Sequence, residues 1–328
     1  MEGLYAVNFP VADFRHPNGR TAPVTSTAVP ADLDVPAPVD DTSPPAHGVT
    51  YVGPFAQAWE EHGAGPRVLL LHGIHAGASG HEWASLVPLL REHRSVRVPD
   101  LLGCGRSDHP DLDYTPQVVL AAVGSLIRAA GPNTHVVASS LTAAYALKAV
   151  AHGARVAGLT LITPTGLGRA PAPAASRPWA KALYAVGRHT PLGDVFTLAV
   201  GSKPSVRWFL GRRAYGDPAN VREETVDAYS REVQATNAKH LTLAFLTGRL
   251  ALHLEPDEVR EVQPDVIWAC GQRFTPNIEA DAWVRAGANV TMRGVGMPHV
   301  EAPELVADQL LRDERGEIER PRPWVRVT

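Results

Sequence analysis

Short, continuously apolar runs, each followed at once by a turn, constrain this chain more than any other feature. Arg67-Val-Leu-Leu-Leu-His72, His135-Val-Val-Ala-Ser-Ser140 and Val156-Ala-Gly-Leu-Thr-Leu-Ile162 show no polar alternation. Such runs suit parallel strands buried on both faces. Ser95-Val-Arg-Val-Pro-Asp100 adds a fourth. Between them lies helical periodicity, over 81–93 through Trp83, Leu86, Leu89 and Leu90, and again over 116–130. Strands alternating with helices predict an α/β protein with a doubly wound, mostly parallel sheet.

The strand rhythm stops between Leu167 and Val262, where helical signals appear at 179–186, 206–210, 223–234 and 241–252. It resumes at 265–270 and 289–293 and ends in a helix over 303–312. The expected organisation is a proline-rich arm (1–48), a first part of the core (49–166), a helical cap (167–262), a second part of the core (263–313) and a tail (314–328). A cap so placed would lie over the C-terminal ends of the strands, where open α/β sheets bind ligands.

The bulk numbers exclude several classes. Of 328 residues, 45% are hydrophobic and 20% charged, which fits a globular protein with a large core. A net charge of −3 without a dense basic cluster gives no case for nucleic acid. Cys104 and Cys270 form no disulfide framework or metal motif, so neither metal nor cofactor is expected. No run is long enough to span a bilayer and no leader opens the chain, so a cytoplasmic protein with a small-molecule ligand is expected. A homodimer stays open.

His135-Val-Val-Ala-Ser-Ser-Leu-Thr-Ala-Ala-Tyr145 runs from a buried strand into small helix-forming residues. It reads as a nucleophile elbow, a tight strand-to-helix turn that lifts a serine hydroxyl clear of the sheet. It reads equally as a strand followed by a serine-capped helix. The usual G-x-S-x-G is replaced by Ala138-Ser-Ser-Leu-Thr142, with both glycines missing.

Further motifs agree with the first reading: Leu71-His72-Gly73, Pro99-Asp-Leu-Leu-Gly-Cys-Gly-Arg-Ser107 and Arg273-Phe-Thr-Pro276, in correct order around Ser140. With them the chain, over roughly 49–312, resembles the α/β-hydrolase fold, in particular its cap-bearing serine hydrolases and esterases. No G-x-G-x-x-G follows the first strand, against a dinucleotide-binding alternative. The resemblance implies Ser140 as nucleophile and the N–H groups of Leu141 and Ile74 as oxyanion hole. His72, Gly73, His75, Ser139, Gln272 and Arg273 are candidate pocket-lining residues, with His72 orienting backbone and Asp100 bonding its own turn.

The acid and base positions depart from the pattern. Where the family reads W-G-x-x-D-R-F-T-P, this chain reads Trp268-Ala-Cys-Gly-Gln272-Arg-Phe-Thr-Pro276, and the other acid position, in Thr163-Pro-Thr-Gly166, also lacks a carboxylate. Where the family reads G-H-x-P-H-x-E-x-P, this chain places Gly296 in the base column and His299 in the second histidine's place. Two substitutes are open: His299 as base with Glu301, Glu279 or Asp281 supplying charge, or His75 or His81 acting from the loop beside the oxyanion hole. His299 also reads as a residue packing the last helix. The expected activity is hydrolysis of a small apolar ester or acyl substrate. The alternatives are a non-hydrolytic protein that binds an apolar ligand or partner in the cap pocket, and lyase-type chemistry there.

Overall fold

In the computed structural model, which describes residues 44–167, 177–270 and 277–313, eight strands form one sheet. They are β1 (Ala46–Val52), β2 (Phe55–His62), β3 (Arg67–Leu71), β4 (Ser95–Pro99), β5 (His135–Ser139), β6 (Gly158–Ile162), β7 (Asp265–Cys270) and β8 (Asn289–Val295), in the order β1-β2-β4-β3-β5-β6-β7-β8. The first two form an antiparallel hairpin, β2 pairs antiparallel with β4, and the other neighbours are parallel.

The apolar runs are continuous because both faces of the sheet are covered. Leu69 and Leu71 of β3, with Val136 and Ala138 of β5, pack against helices α2 (Pro116–Ala130) and α3 (Ser140–Ala151). The intervening Val68, Leu70 and Val137 face the opposite way, onto Trp83, Leu86, Leu90, Val306 and Leu310. These last lie around helix α1 (Val87–Arg91) and on the terminal helix, Pro303–Asp313. Each buried leucine in such a layer contributes about 1.5–3 kcal/mol of transfer free energy.

Between β6 and β7 the chain builds the cap from α4 (Pro178–His189), α5 (Pro191–Val200), α6 (Lys203–Phe209), α7 (Glu223–Val233), α8 (Lys239–Leu246) and α9 (Pro256–Val262). Helix α10 (Asn277–Arg285), the single turn α11 (Pro298–Glu301) and α12 (Pro303–Asp313) complete the core. Val206, Leu210, Tyr215, Val226 and Tyr229 form a small apolar core within the cap, and Met297 and Val300 pack against it. The cap thereby rests on the loop that leads into α11.

Several elements differ from the sequence expectation. The helix expected over 81–93 is a short 3-10 turn, Gly80–Trp83, followed by α1. Pro88 explains the break, since a residue without an N–H is tolerated only in a helix's first turn. The helix expected over 241–252 ends at Leu246, where Gly248 adopts φ +71°. Helices α5 and α9 lacked a clear periodic signal, and β1 starts at Ala46, within the stretch assigned to the arm. The arm up to residue 43 and the tail from residue 314 lie outside the described residues. No described helix is long and apolar enough to cross a membrane.

Candidate active site

Strand β5 delivers Ser140 to the first position of α3 with φ +53°, in the left-handed region that costs an L-residue roughly 1–2 kcal/mol. A serine-capped helix would need no such backbone. The residue at the cap, Ser139, is buried and extended, and its side chain makes no capping hydrogen bond. The geometry is that of an elbow held under strain. The missing second glycine also finds its reason: the Thr142 hydroxyl, fully buried, donates to His72 O at 2.7 Å and ties α3 to the end of β3. Thr142→Val keeps the shape but removes the donor from a buried carbonyl, so it should lower stability by about 1–3 kcal/mol in denaturant unfolding.

The loop after β3 forms the other wall. His72 Nε2 accepts from Leu101 N–H at 3.0 Å and Nδ1 donates to Gly73 O at 2.8 Å, so both ring nitrogens orient backbone. Burial pushes the His72 imidazole below its ordinary range, against the opposing pull of Asp100 and Glu82. Asp100 accepts from Gly80 N–H and from Arg106 N–H and Nε, closing its own turn. Gly73 is pressed against the elbow. A Cβ there would stand 3.3 Å from Ser140 Cβ, 3.4 Å from Glu82 Oε2 and 3.6 Å from His75 Cδ2, so serine, carboxylate and imidazole converge on one point. The N–H groups of Leu141 and Ile74 flank the same point in sequence, and neither bonds a described residue.

Glu82, which no sequence motif marks, is the centre of this wall. Its side chain is 1% exposed. Oε2 accepts from Gly73 N–H at 3.0 Å and lies 3.5 Å from His75 Nε2, while Oε1 lies 2.9 Å from His299 Nε2. Burial alone would raise the carboxyl's pKa, but hydrogen bonds and charge from His299 and His75 outweigh it and hold the group well below the usual carboxylate range. One signal was present in the sequence: a carboxylate beside Trp83, at the head of the apolar stretch Trp83 to Leu90.

The two histidines differ. His75 stacks on Tyr229, with ring centroids 5.1 Å apart, and its Nδ1 bonds Ala76 O at 3.1 Å. His299 is 1% exposed and packs on Trp83, and its Nδ1 is buried without a partner among the described residues. His81 is exposed. Ser140 Oγ makes no hydrogen bond to a described imidazole.

The hydrogen bonds of Glu301 go to donors other than His299. Its carboxylate accepts from Met297 N–H and Gly216 N–H, each at 2.9 Å, from Asp217 N–H at 3.2 Å and from Asn220 Nδ2 at 3.0 Å. Three of these donors, from Gly216, Asp217 and Asn220, pin the cap segment 215–220 to the core. Gly296, in the base column, has φ +62°, and a Cβ on it would overlap Glu301 Oε2 and Gly216 N. Gln272 and Arg273 lie outside the described residues, as does the Glu279 side chain. Among the described residues no group of three His, Cys, Asp or Glu side chains could hold a metal ion.

Residues 68–309 match the model of the alpha/beta hydrolase family. Among solved structures, the 2-hydroxy-6-oxo-6-phenylhexa-2,4-dienoate hydrolase of a Rhodococcus species aligns with a TM-score of 0.66 at 20% identity, covering 83% of this chain and 99% of that one. A serine hydrolase involved in carbazole degradation aligns with a TM-score of 0.65 at 18% identity, again covering 83% and 99%. Likeness at this identity concerns the fold. Among curated proteins, the 2-hydroxy-6-oxo-6-(2'-aminophenyl)hexa-2,4-dienoic acid hydrolase of Metapseudomonas resinovorans is 32% identical over 111 residues, 33% of this chain and 38% of that protein. An uncharacterized protein of Mycobacterium bovis is 38% identical over 78 residues, 24% of this chain and 22% of its own length. The chain thus spans well under half the length of these curated relatives.

Proposed function

The chain belongs to the alpha/beta hydrolase family, matched over residues 68–309, and from that premise we propose that it is a serine hydrolase acting on a small, fairly apolar ester or related acyl substrate beneath the cap. One observation carries this reading, the left-handed backbone at Ser140. Strain of that kind persists where the surrounding structure over-determines it, and such positions cluster at active sites. Ser140 Oγ attacks the acyl carbon, and the N–H groups of Leu141 and Ile74 receive the developing oxyanion. The alcohol leaves, and water then releases the acid from the acyl-serine.

Ile74 also points to the substrate class. It lines an apolar cavity of about 10 Å³ with Leu101, Leu102, Tyr114 and Leu241. That space holds about one water molecule, so a substrate enters only as the cap shifts. Leu241 sits on cap helix α8, which makes the cap one wall of the cavity.

The test is covalent labelling with a serine-reactive fluorophosphonate. The native chain takes up one label and Ser140→Ala takes up none. Labelling that survives Ser140→Ala, or that never occurs between mildly acidic and alkaline pH, overturns the reading.

A further inference from the structure

The positions that hold acid and base in relatives of this fold carry Gln272 and Gly296 here, yet a buried carboxylate and a buried imidazole meet at 2.9 Å beside the elbow, from elements 217 residues apart in sequence. Resting on the serine-hydrolase reading above, we propose that His299 is the general base for Ser140 and that Glu82, from the loop after β3, is the positioning residue that orients it.

Three observations converge. The first is the tautomer. An ionised carboxylate accepts only, so His299 Nε2 is the nitrogen that donates to Glu82 Oε1, and in the neutral ring Nδ1 is then a bare lone pair. The second is that this lone pair is buried and has no partner among the described residues. Leaving a buried acceptor unsatisfied is unfavourable, so Nδ1 is a lone pair ready to take a donor. The third is location. The carboxylate that holds His299 also holds Gly73 N–H and reaches the same point as Ser140 Cβ, so pair and serine share one wall. His75 lacks the second property, because its two nitrogens already face Ala76 O and Glu82 Oε2. Hydrogen bonds between nucleophile and base are often long without substrate and tighten when it binds.

The step balances within these groups. As Oγ bonds the acyl carbon, its proton passes to His299 Nδ1 and the carbonyl electron pair moves to the oxyanion held by Leu141 and Ile74. Glu82 stays ionised and stabilises the imidazolium. Collapse of the tetrahedral species expels the alcohol oxygen, which takes the proton from Nδ1. Water then repeats the sequence at the acyl-serine. With the fluorophosphonate probe, phosphorus replaces carbon and fluoride leaves.

The limiting rate of fluorophosphonate labelling and the half-saturating probe concentration are measured for the native chain and for His299→Gln, Glu82→Gln, Glu82→Asp and His75→Gln. Each variant is checked for native near-ultraviolet circular dichroism. The expected result is a fall of about 10³- to 10⁴-fold in the limiting rate for His299→Gln and Glu82→Gln, with the half-saturating concentration unchanged. Glu82→Asp recovers part of the rate, which a merely structural role for the carboxylate would not produce. Folded His299→Gln or Glu82→Gln that labels within tenfold of native overturns the inference and leaves Ser140 as nucleophile. So does a loss confined to His75→Gln. Absence of labelling in the native chain overturns the serine reading itself and the inference with it. Should a variant fail to fold, the native chain decides: the low-field proton resonance of the Glu82 to His299 hydrogen bond shifts when the probe reacts with Ser140, and an unmoved resonance overturns the inference.

Discussion

Gly296→His, the substitution that writes the family's base back into its usual column, should destabilise the protein by about 2–4 kcal/mol and leave fluorophosphonate labelling no faster than in the native chain. The backbone at Gly296 has φ +62°, which disfavours any side chain. The space is also taken. The first carbon of a side chain would overlap Glu301 Oε2 and Gly216 N, the two ends of a hydrogen bond that holds the cap to the core. To admit it, Glu301 must withdraw, and the N–H groups of Met297, Gly216 and Asp217 lose their acceptor together. Gly296→Ala should therefore show most of the same loss in denaturant unfolding, because the clash is at Cβ and owes nothing to the imidazole. A Gly296→Ala protein as stable as native would mean that the clamp re-forms elsewhere. In this chain the base column has become the seat of a cap clamp.

How much of this was legible in the sequence follows from the range of the interactions involved. The sheet was legible because each strand's environment is written in its own residues: Val68 and Leu70 face one layer, Leu69 and Leu71 the other, and the run is apolar throughout. The elbow was only half legible. Ala138 to Thr142 lacks both marker glycines, and what replaces the second is a hydroxyl bonded to His72 O, 70 positions away. Gly296 was visible as a departure from pattern, but the Glu301 carboxylate that fills its space belongs to a hydrogen-bond set reaching some 80 residues back into the cap. Glu82 was least legible. Its position in the helical periodicity marks it as a surface charge at the start of a helix, and that helix is broken by Pro88 into a tight turn that points the carboxylate inward. Local pattern specifies elements, whereas pairings across 70 to 217 residues specify the site.

Glu82→Gln should lower stability near neutral pH by about 3–5 kcal/mol, the loss expected when one member of a buried charged pair is removed and its partners stay behind. At this chain length that is a fall of several degrees in Tm, and its pH dependence identifies the cause. The Glu82 carboxyl is held well below the usual range in the folded state, since hydrogen bonds and charge from His299 and His75 more than offset burial. The unfolded value is about 4.3. A folded-state pKa below the unfolded one means that the unfolded chain binds the proton more readily. The stabilisation from this group is then complete above about pH 4.3 and drains away as pH falls through the folded-state value. Glutamine carries no such proton. Thermal unfolding from pH 8 to pH 3 should therefore show a native-minus-variant gap in Tm that holds down to about pH 4.5 and narrows below it. A gap that stays constant to pH 3 would mean that the carboxyl titrates alike in the folded and unfolded chains, and a gap that widens as pH falls from 8 toward about 4.3 would mean that the native carboxyl is protonated. The distinction bears on catalysis, because a neutral Glu82 could not stabilise an imidazolium at His299, whereas an ionised one, buried and supplied with Gly73 N–H, stabilises that cation in surroundings where water does not screen it.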